Sequence, residues 1–225
     1  GEHVARDCGA EAAHPREADR EASADHQRVR DDHLRRAGIQ VTVYDRYDRA
    51  GGLLTYGIPG FKLEKDVVMR RNEQLVAGGV TLKLNCDIGR DISFEDLRSA
   101  HDAIIIATGV YKIRDLDIAG SALSGVVQAL NFLTVSNQIN FGDKVPDFEN
   151  GVLNAKGKKV VVIGGGDTAM DCVRTAIRQN AKSVSCLYRR DRANMPGSQR
   201  EVQNAEEEGV VFKWLSSPEA FLGIE

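Results

Sequence analysis

The chain of 225 residues lacks several features that would assign it to particular classes of protein. No apolar run approaches the roughly 20 residues needed to span a bilayer, and no signal peptide opens the chain, so we expect a cytoplasmic protein with no membrane contact. The net charge is only -3, which gives no reason to expect a nucleic-acid partner. The four cysteines have no C-x-x-C spacing. We therefore expect neither a disulfide framework nor a cysteine-ligated metal or iron–sulfur site.

The first 33 residues lack the side chains that build a core. They contain no Leu, Ile, Met, Phe, Tyr, Trp or Lys, and they hold four of the five histidines of the chain. The histidine spacings fit no helical pair of metal ligands. A segment of this composition cannot bury enough apolar surface to offset the entropy of ordering it. We predict that residues 1–33 are disordered or non-native.

One stretch of the remaining chain organises the rest. A β-branched apolar run at residues 160–163 leads into Gly-Gly-Gly-Asp-Thr-Ala at residues 164–169, and a helical pattern follows. This is the strand, tight turn and helix of a dinucleotide-binding βαβ unit, with the pyrophosphate at the helix N-terminus. The alternative is a glycine-rich turn in an ordinary α/β domain, but the flanking strand and helix favour nucleotide binding.

The strand that follows this helix ends in basic residues. Arg189, Arg190 and Arg192 stand at the tip of a strand predicted over 183–188, about 25 residues after Gly164. An acidic residue there would favour the 2′-hydroxyl of NAD, whereas arginines can pair with the 2′-phosphate of NADP. A basic surface turn is the alternative. Given the glycine turn upstream, the pattern favours NADPH.

The first half of the chain predicts a second α/β unit. Asp45 follows a strand predicted over 39–44, where it is either a ribose ligand or a solvated loop residue. Residues 50–60 form an apolar loop with several Gly and Pro residues, and Ser93 opens a short helix with a capping-box spacing. Further strands are predicted over residues 80–84, 102–107 and 210–215, the second of them buried and parallel. Helices are predicted over residues 65–77, 126–137, 170–179 and 199–208, with Asn180 as the C-cap of the third. Residues 139–158 are predicted to be a connector, and residues 206–208 a solvated acidic run.

Several motifs together resemble a known family. The loop Gly-Gly-Leu-Leu-Thr-Tyr-Gly-Ile-Pro (51–59), Phe-Lys-Leu (61–63), Ala-Thr-Gly (107–109), the glycine turn, and Tyr-Arg-Arg-Asp-Arg (188–192) with Asn-Met-Pro-Gly-Ser (194–198) occur in the order of that family. From about residue 34 onward the chain resembles the small (beta) subunit of NADPH-dependent glutamate synthase. The flavin half of dihydropyrimidine dehydrogenase is a close cousin.

The resemblance implies a fold and a function. It implies a Rossmann-like NADPH-binding βαβ domain (151–225) inserted in an incomplete FAD-binding Rossmann-like domain (34–150). Hydride would pass from NADPH to FAD. Electrons would then move through iron–sulfur clusters in a domain absent from this chain to the glutamate synthase large (alpha) subunit. Because the cofactors carry this chemistry, no catalytic side chain is predicted.

The resemblance also implies which residues bind the cofactors. Asp45 would contact the FAD ribose, and the other residues implied on the FAD side are Gly52, Leu53, Lys62, Ile88, Thr108 and Gly109. The residues implied for NADPH are Gly164, Gly165, Gly166, Asp167, Thr168, Arg189, Arg190 and Arg192, the last of them by proximity alone.

The chain departs from the family at both ends. Residues 1–33 contain nothing like the glycine-rich FAD turn, and the sequence stops before the returning FAD segment of the family. We hypothesise that residues 1–33 derive from a frame-shifted or damaged reading of that turn. Two alternatives to the electron-input role stay open: an NADPH-binding fragment without redox activity, and a chain similar to the flavin half of dihydropyrimidine dehydrogenase.

Overall fold

The computed structural model describes residues 33–109 and 116–223, in which the helices and strands form a mixed α/β structure. In chain order the elements are β1 (Thr42–Tyr44), α1 (Leu53–Tyr56), α2 (Lys65–Ala77), β2 (Thr81–Lys83), α3 (Phe94–Ala100), α4 (Ala129–Asn140), α5 (Pro146–Glu149), β3 (Lys159–Ile163), α6 (Asp167–Arg178), β4 (Ser183–Leu187), α7 (Gln199–Glu207) and β5 (Val211–Lys213). The predicted disorder of residues 1–33 concerns a segment that lies, apart from His33, outside the described residues.

The larger sheet contains β3, β4 and β5, all parallel, with β4 in the centre. Val162 lies opposite Cys186, which in turn lies opposite Phe212. Helix α6 packs against β3 and β4 and also against α4 and α7. The resulting core includes Met170, Val173, Val184 and Val202, all nearly inaccessible to solvent. This is the Rossmann-like βαβ arrangement that the sequence predicts, and the α/β fold class is confirmed.

The smaller sheet pairs β1 and β2 in parallel, with Val43 opposite Leu82. Its crossover contains α1 and α2, and the associated core is small: Leu54, Ile58 and Val68, with Leu63 and Met69 at its edge. Residues 50–60 are therefore not a simple loop as predicted. One helical turn, α1, lies within them, and Leu54, Tyr56 and Ile58 turn inward.

The buried parallel strand predicted over residues 102–107 is wrong. Residues 103–109 belong to no strand or helix, and the side chain of Ile106 is 73% exposed. An apolar run becomes a parallel strand only when a neighbouring strand satisfies its backbone N–H and C=O groups. Among residues 33–109 and 116–223, no strand pairs with this run.

Most other boundaries agree with the predictions to within three residues. Helix α2 spans Lys65–Ala77 as predicted, and Ser93 caps α3 by accepting the N–H of Asp96 at 3.0 Å. The connector predicted over 139–158 contains the end of α4 and the short α5. Gln179, not Asn180, is the C-cap of α6, although Asn180 adopts a left-handed φ of 60° directly after it.

Below, the smaller unit means the elements β1 to α3 and the chain up to residue 109, and the larger unit means the elements α4 to β5. Two segments that are far apart in the chain meet at residues 119–120 and 220–221. Ala119 and Ala220 form an isolated parallel bridge, in which the N–H of Phe221 donates to the carbonyl of Ala119 at 2.8 Å. Gly120 has a φ of +81°, and a Cβ there would lie 2.2 Å from the carbonyl oxygen of Phe221. The chain therefore passes residue 120 and residue 220 at neighbouring points.

No helix in the described part of the chain is both long and apolar enough to cross a membrane. The longest, α2, has 13 residues, about 20 Å of helix, which falls short of the roughly 30 Å hydrocarbon core of a bilayer.

Candidate functional site

The glycine turn lies at the carboxyl end of β3 and the N-terminus of α6. Strand β3 ends at Ile163, Gly164 has a φ of +145°, and α6 begins at Asp167. The positive φ at Gly164 is a conformation that a side chain would strain. No heavy atom beyond the chain neighbours lies within 4 Å of a Cβ built on Gly166. The position of a side chain at Gly166, directly before the first N–H groups of α6, is therefore unobstructed.

A second segment, residues 194–198, folds across this turn and is called the clasp below. The N–H of Gly197 donates to the carbonyl of Gly165 at 2.9 Å, and the N–H of Ser198 donates to Asp167 Oδ1 at 3.0 Å. The Tyr188 hydroxyl donates to the carbonyl of Asn194 at 3.0 Å. The clasp thus holds the glycine turn from the side of α7.

The clasp gives the motif over residues 188–198 a structural role that the local sequence pattern does not reveal. A Cβ built on Gly165 would lie 2.4 Å from the Tyr188 ring, so this glycine is needed for packing against Tyr188. Met195, within the clasp, is buried in the core of the larger unit. The signal available in the sequence was the Asn-Met-Pro-Gly-Ser motif itself, but its contact with Gly165 is long-range and has no local pattern.

The three arginines at the end of β4 differ in their surroundings. Arg189 and Arg190 are exposed just past the carboxyl end of the strand, the edge where the glycine turn also lies. Arg192 instead pairs with Glu206 of α7 at 2.9 Å and is 46% exposed. Its guanidinium is therefore held toward α7, so the assignment by proximity is the weakest of the three.

The residues present fit a dinucleotide pyrophosphate. Gly164 to Thr168 are brought together by one turn, the position of a Cβ on Gly166 is unobstructed, and Gly166 directly precedes the positive end of the α6 dipole. Arg189 and Arg190 follow the neighbouring parallel strand at the same edge of the sheet. A phosphate group at the turn and a second anionic group at β4 are the ligands that this arrangement favours.

The residues implied for FAD are spread along the smaller unit. Asp45 follows β1, and its Oδ1 accepts the N–H of Tyr47 at 3.0 Å. Burial raises the pKa of the Asp45 carboxyl, opposed by the Tyr47 N–H and by Arg46. Gly52 is the N-cap of α1 with a φ of 52°, and Leu53, the first residue of that helix, is half-buried.

The other implied FAD residues lie apart from α1 in the chain. Ile88 is half-buried and bridges to Ile92 in a turn after β2. Thr108 and Gly109 are exposed, at the end of the run that forms no strand. In the part of the chain that the structure describes, no glycine-rich turn follows a strand of the smaller sheet, so a pyrophosphate site of the α6 kind is found only in the larger unit.

Lys62, implied for the FAD site, makes its strongest described contact with the larger unit. Its Nζ lies 3.0 Å from Asp171 Oδ1 and 3.7 Å from Glu201 Oε2. Lys62 and Asp171 are 13% and 8% exposed, so the charges are mostly removed from water. Asp171 belongs to α6 and Glu201 to α7, and the sequence reasoning predicted neither contact.

The prediction of a solvated acidic run at residues 206–208 is wrong for Glu208, whereas Glu207 is exposed. Glu208 accepts hydrogen bonds from Arg174 at 2.8 Å and from Arg178 at 2.7 Å. Desolvation raises the pKa of Glu208, but the two arginines outweigh this effect and lower the pKa to about 2. Arg174 and Arg178 are one turn apart on α6, so both guanidinium groups reach the end of α7.

The thiols of Cys172 and Cys186 in the larger unit are buried and free. Burial raises the pKa of Cys186 to about 12, and it also raises that of Cys172. A raised pKa is the opposite of the lowered pKa that activates a redox cysteine.

The comparisons with known proteins agree with this geometry. The family model described as pyridine nucleotide-disulphide oxidoreductase matches residues 32–223. The chain is 63% identical over 190 residues to the glutamate synthase (NADPH) small chain of Azospirillum brasilense, covering 84% of this chain and 39% of that protein. It is 48% identical over 196 residues to the corresponding small chain of Escherichia coli, covering 86% of this chain and 40% of that protein.

The chain therefore spans about two fifths of the length of these two relatives. Among solved structures it is similar to FprA of Mycobacterium tuberculosis in complex with NADPH, with a TM-score of 0.71 and 17% sequence identity. That match covers 90% of this chain and 59% of the other, and at this identity it supports the fold alone.

Proposed function

Because this chain belongs to the pyridine nucleotide-disulphide oxidoreductase family, we propose that it binds NADPH at the glycine turn and serves as the electron-input part of a glutamate synthase small subunit. The observation that carries the proposal is the unobstructed position of a Cβ on Gly166, directly before the N-terminus of α6, at the sheet edge where Arg189 and Arg190 follow β4. The relatives named glutamate synthase (NADPH) small chain support the same assignment.

The protein groups in this proposal bind and orient the nucleotide. The N–H groups of the α6 N-terminus bind the pyrophosphate, and Arg189 and Arg190 pair with the 2′-phosphate. The clasp is hydrogen-bonded to Gly165 and Asp167 and so helps to fix the conformation of the turn. When bound, FAD would supply the acceptor of the hydride. The residues proposed to line its site are Asp45, Gly52, Leu53, Lys62, Ile88, Thr108 and Gly109.

The large subunit of glutamate synthase is the proposed partner of the whole protein. In that assembly, electrons would leave through iron–sulfur clusters held outside this chain and would reach the site where glutamate is made. This part of the proposal rests on the names of the relatives and on the shared motifs.

The nucleotide assignment is tested by replacing the two exposed arginines. We expect the double variant Arg189→Ala, Arg190→Ala to bind NADP⁺ about tenfold or more weaker, because each charge-assisted hydrogen bond contributes about 1.5–3 kcal/mol. Its affinity for NAD⁺, which has no 2′-phosphate, should change little. Isothermal titration with each nucleotide measures both values.

Arg200→Ala is the matched control, because this arginine is also exposed but lies on α7. It should leave both affinities unchanged. An equal loss of NADP⁺ and NAD⁺ affinity in the double variant would contradict the assignment of the 2′-phosphate.

The redox role is tested by an absorbance spectrum of the purified chain before and after addition of NADPH. Flavin absorbance that bleaches on addition supports electron input by this chain. Nucleotide binding without flavin absorbance would instead support an NADPH-binding fragment that has no redox activity of its own.

A further inference from the structure

Lys62 of the smaller unit contacts the larger unit close to the glycine turn. Its ammonium contacts Asp171 of α6 and Glu201 of α7. Helix α6 begins at Asp167, one turn before Asp171, and α7 begins at Gln199, two residues before Glu201. The first turn of α6 therefore follows the glycine turn, and the first turn of α7 follows the clasp. Lys62 contacts both helices within about one turn of the site proposed for NADP(H).

The contact is part of a larger set of charges. Glu201 also accepts from Arg174 at 2.7 Å, and Arg174 continues to Glu208. The ring of Phe61, next to Lys62 in the chain, lies 3.8 Å from the guanidinium of Arg178. Residues 61 and 62 therefore fix their segment to α6 by an ion pair and a cation–π contact together.

On its other side, Lys62 lies close in the chain to the apolar segment 50–58. Its backbone N–H donates to the carbonyl of Pro59, the residue that follows this segment, at 3.0 Å. Three residues after Lys62, the ammonium of Lys65 donates to the carbonyl of Leu54 at 2.9 Å and also to that of Ile58. The stretch 62–65 is thus hydrogen-bonded to residues 54, 58 and 59, and through Lys62 it also contacts α6.

We propose that Lys62 is a positioning residue that couples nucleotide binding at the α6 N-terminus to the conformation of residues 50–58. The coupling passes through Asp171 and Glu201 to both helices that frame the site. This inference rests on the proposed binding of NADP(H). It gives Lys62 a role through Asp171 and Glu201 of the larger unit, in addition to the role implied for FAD.

The coupling is measured by amide hydrogen exchange of residues 53–58 in the full chain, with and without NADP⁺. In the wild type, NADP⁺ should slow exchange there by about fivefold or more, which corresponds to the lower end of typical coupling energies. In Lys62→Met, NADP⁺ should still bind but should no longer slow this exchange. Lys62→Arg should restore the effect, because it keeps a cation within reach of Asp171.

Two further variants make the result decisive. Lys182→Met removes an exposed lysine of the larger unit and should behave like the wild type. Lys62→Met leaves Asp171 buried without this cation, so the double variant Lys62→Met, Asp171→Leu is tested beside it, because removing both charges avoids the cost of one buried charge. Thermal unfolding checks that each variant folds.

The outcomes separate this inference from the proposed function. A wild type that binds no NADP⁺ would overturn the proposed function and the coupling together. Nucleotide binding that slows exchange of residues 53–58 equally in the wild type and in the folded double variant would overturn the coupling alone.

Discussion

The sheet of β3, β4 and β5 and the sheet of β1 and β2 are both parallel, yet they differ in what surrounds them. Within residues 33–109 and 116–223, the larger sheet has three strands and packs with α6, α4 and α7 around a core of 15 buried residues. In the same ranges, the smaller sheet has two strands and a cluster of three buried residues. An apolar sequence becomes a stable layer only where other elements cover it. The larger unit thus has its own core, whereas the smaller unit depends more on polar links.

Those polar links are concentrated around the segment 48–65. Arg49 donates to both oxygens of Asp143 at 2.7 and 2.8 Å, beyond the end of α4. The Nδ2 of Asn137, on α4, donates to the carbonyl of Tyr56 at 3.0 Å. Together with Lys62 and Asp171, these bonds hold the smaller unit to helices whose apolar sides belong to the larger core. Ion pairs of this kind give orientation more than stability.

The largest expected effect tests whether stability resides in the larger core. Met170→Ala removes a side chain with 0% exposure, and we expect it to lower the free energy of unfolding by about 2–5 kcal/mol. The control is Ile106→Ala in the run that forms no strand, which should change it by less than about 0.5 kcal/mol. Urea denaturation measures both, and equal costs would remove the contrast between the two regions.

A smaller effect compares two neighbouring glycines of the turn, one packed against a side chain and one with open space beside it. Gly165→Ala places a methyl group against the Tyr188 ring, and we expect it to lower the free energy of unfolding by about 1–3 kcal/mol. Gly166→Ala meets no atom within 4 Å and should cost only about 0.5 kcal/mol or less. It should nevertheless weaken NADP⁺ binding, since its methyl group enters the space beside the turn. Unfolding and titration of both variants measure this, and unchanged NADP⁺ affinity in Gly166→Ala would contradict the placement of the pyrophosphate.

The smallest effect concerns pH and the smaller unit. Burial lowers the pKa of Lys65 to about 8, with a nearby Asp171 opposing the shift. Between about pH 8 and its ordinary pKa of 10.5, the folded chain therefore binds fewer protons at this site than the unfolded chain, so stability rises with pH. After a discount for solvent screening, we expect a gain of about 1 kcal/mol over this range.

The comparison with Lys65→Met isolates this contribution, because the other titrating groups are common to both proteins. The free energy of unfolding of the wild type, measured against that of the variant by urea denaturation from pH 7 to pH 10.5, should rise. A difference that stays constant or falls with pH would show that the ammonium is not desolvated in the folded chain.

How much of the structure could be predicted from the sequence depends on the range of the interactions. Helix α2 and the Ser93 cap follow from local spacing and local hydrogen bonds, so their prediction was confirmed. The glycine turn was predicted because its strand, turn and helix are consecutive in the chain. The run at residues 102–107 has the same apolar character as β3, but no strand in the described ranges pairs with it, and sequence alone does not report the presence of a neighbour.

The site shows the same limit. Gly164 to Thr168 and the arginines after β4 were found because a local motif carries them. The clasp contact with Gly165 joins residues 32 positions apart, and the pair of Lys62 with Asp171 joins residues 109 positions apart. The sequence predicts a solvated Glu208 because its arginine partners lie on α6, 30 or more positions before it. Which charges meet is decided by the packing of α6 on α7.

The bridge between Ala119 and Ala220 bears on how such a chain can be rearranged. Because the backbone passes these two residues side by side, everything folded between them begins and ends at nearly the same place. A unit with adjacent ends can be cut out, transplanted into another protein or circularly permuted with only a short join.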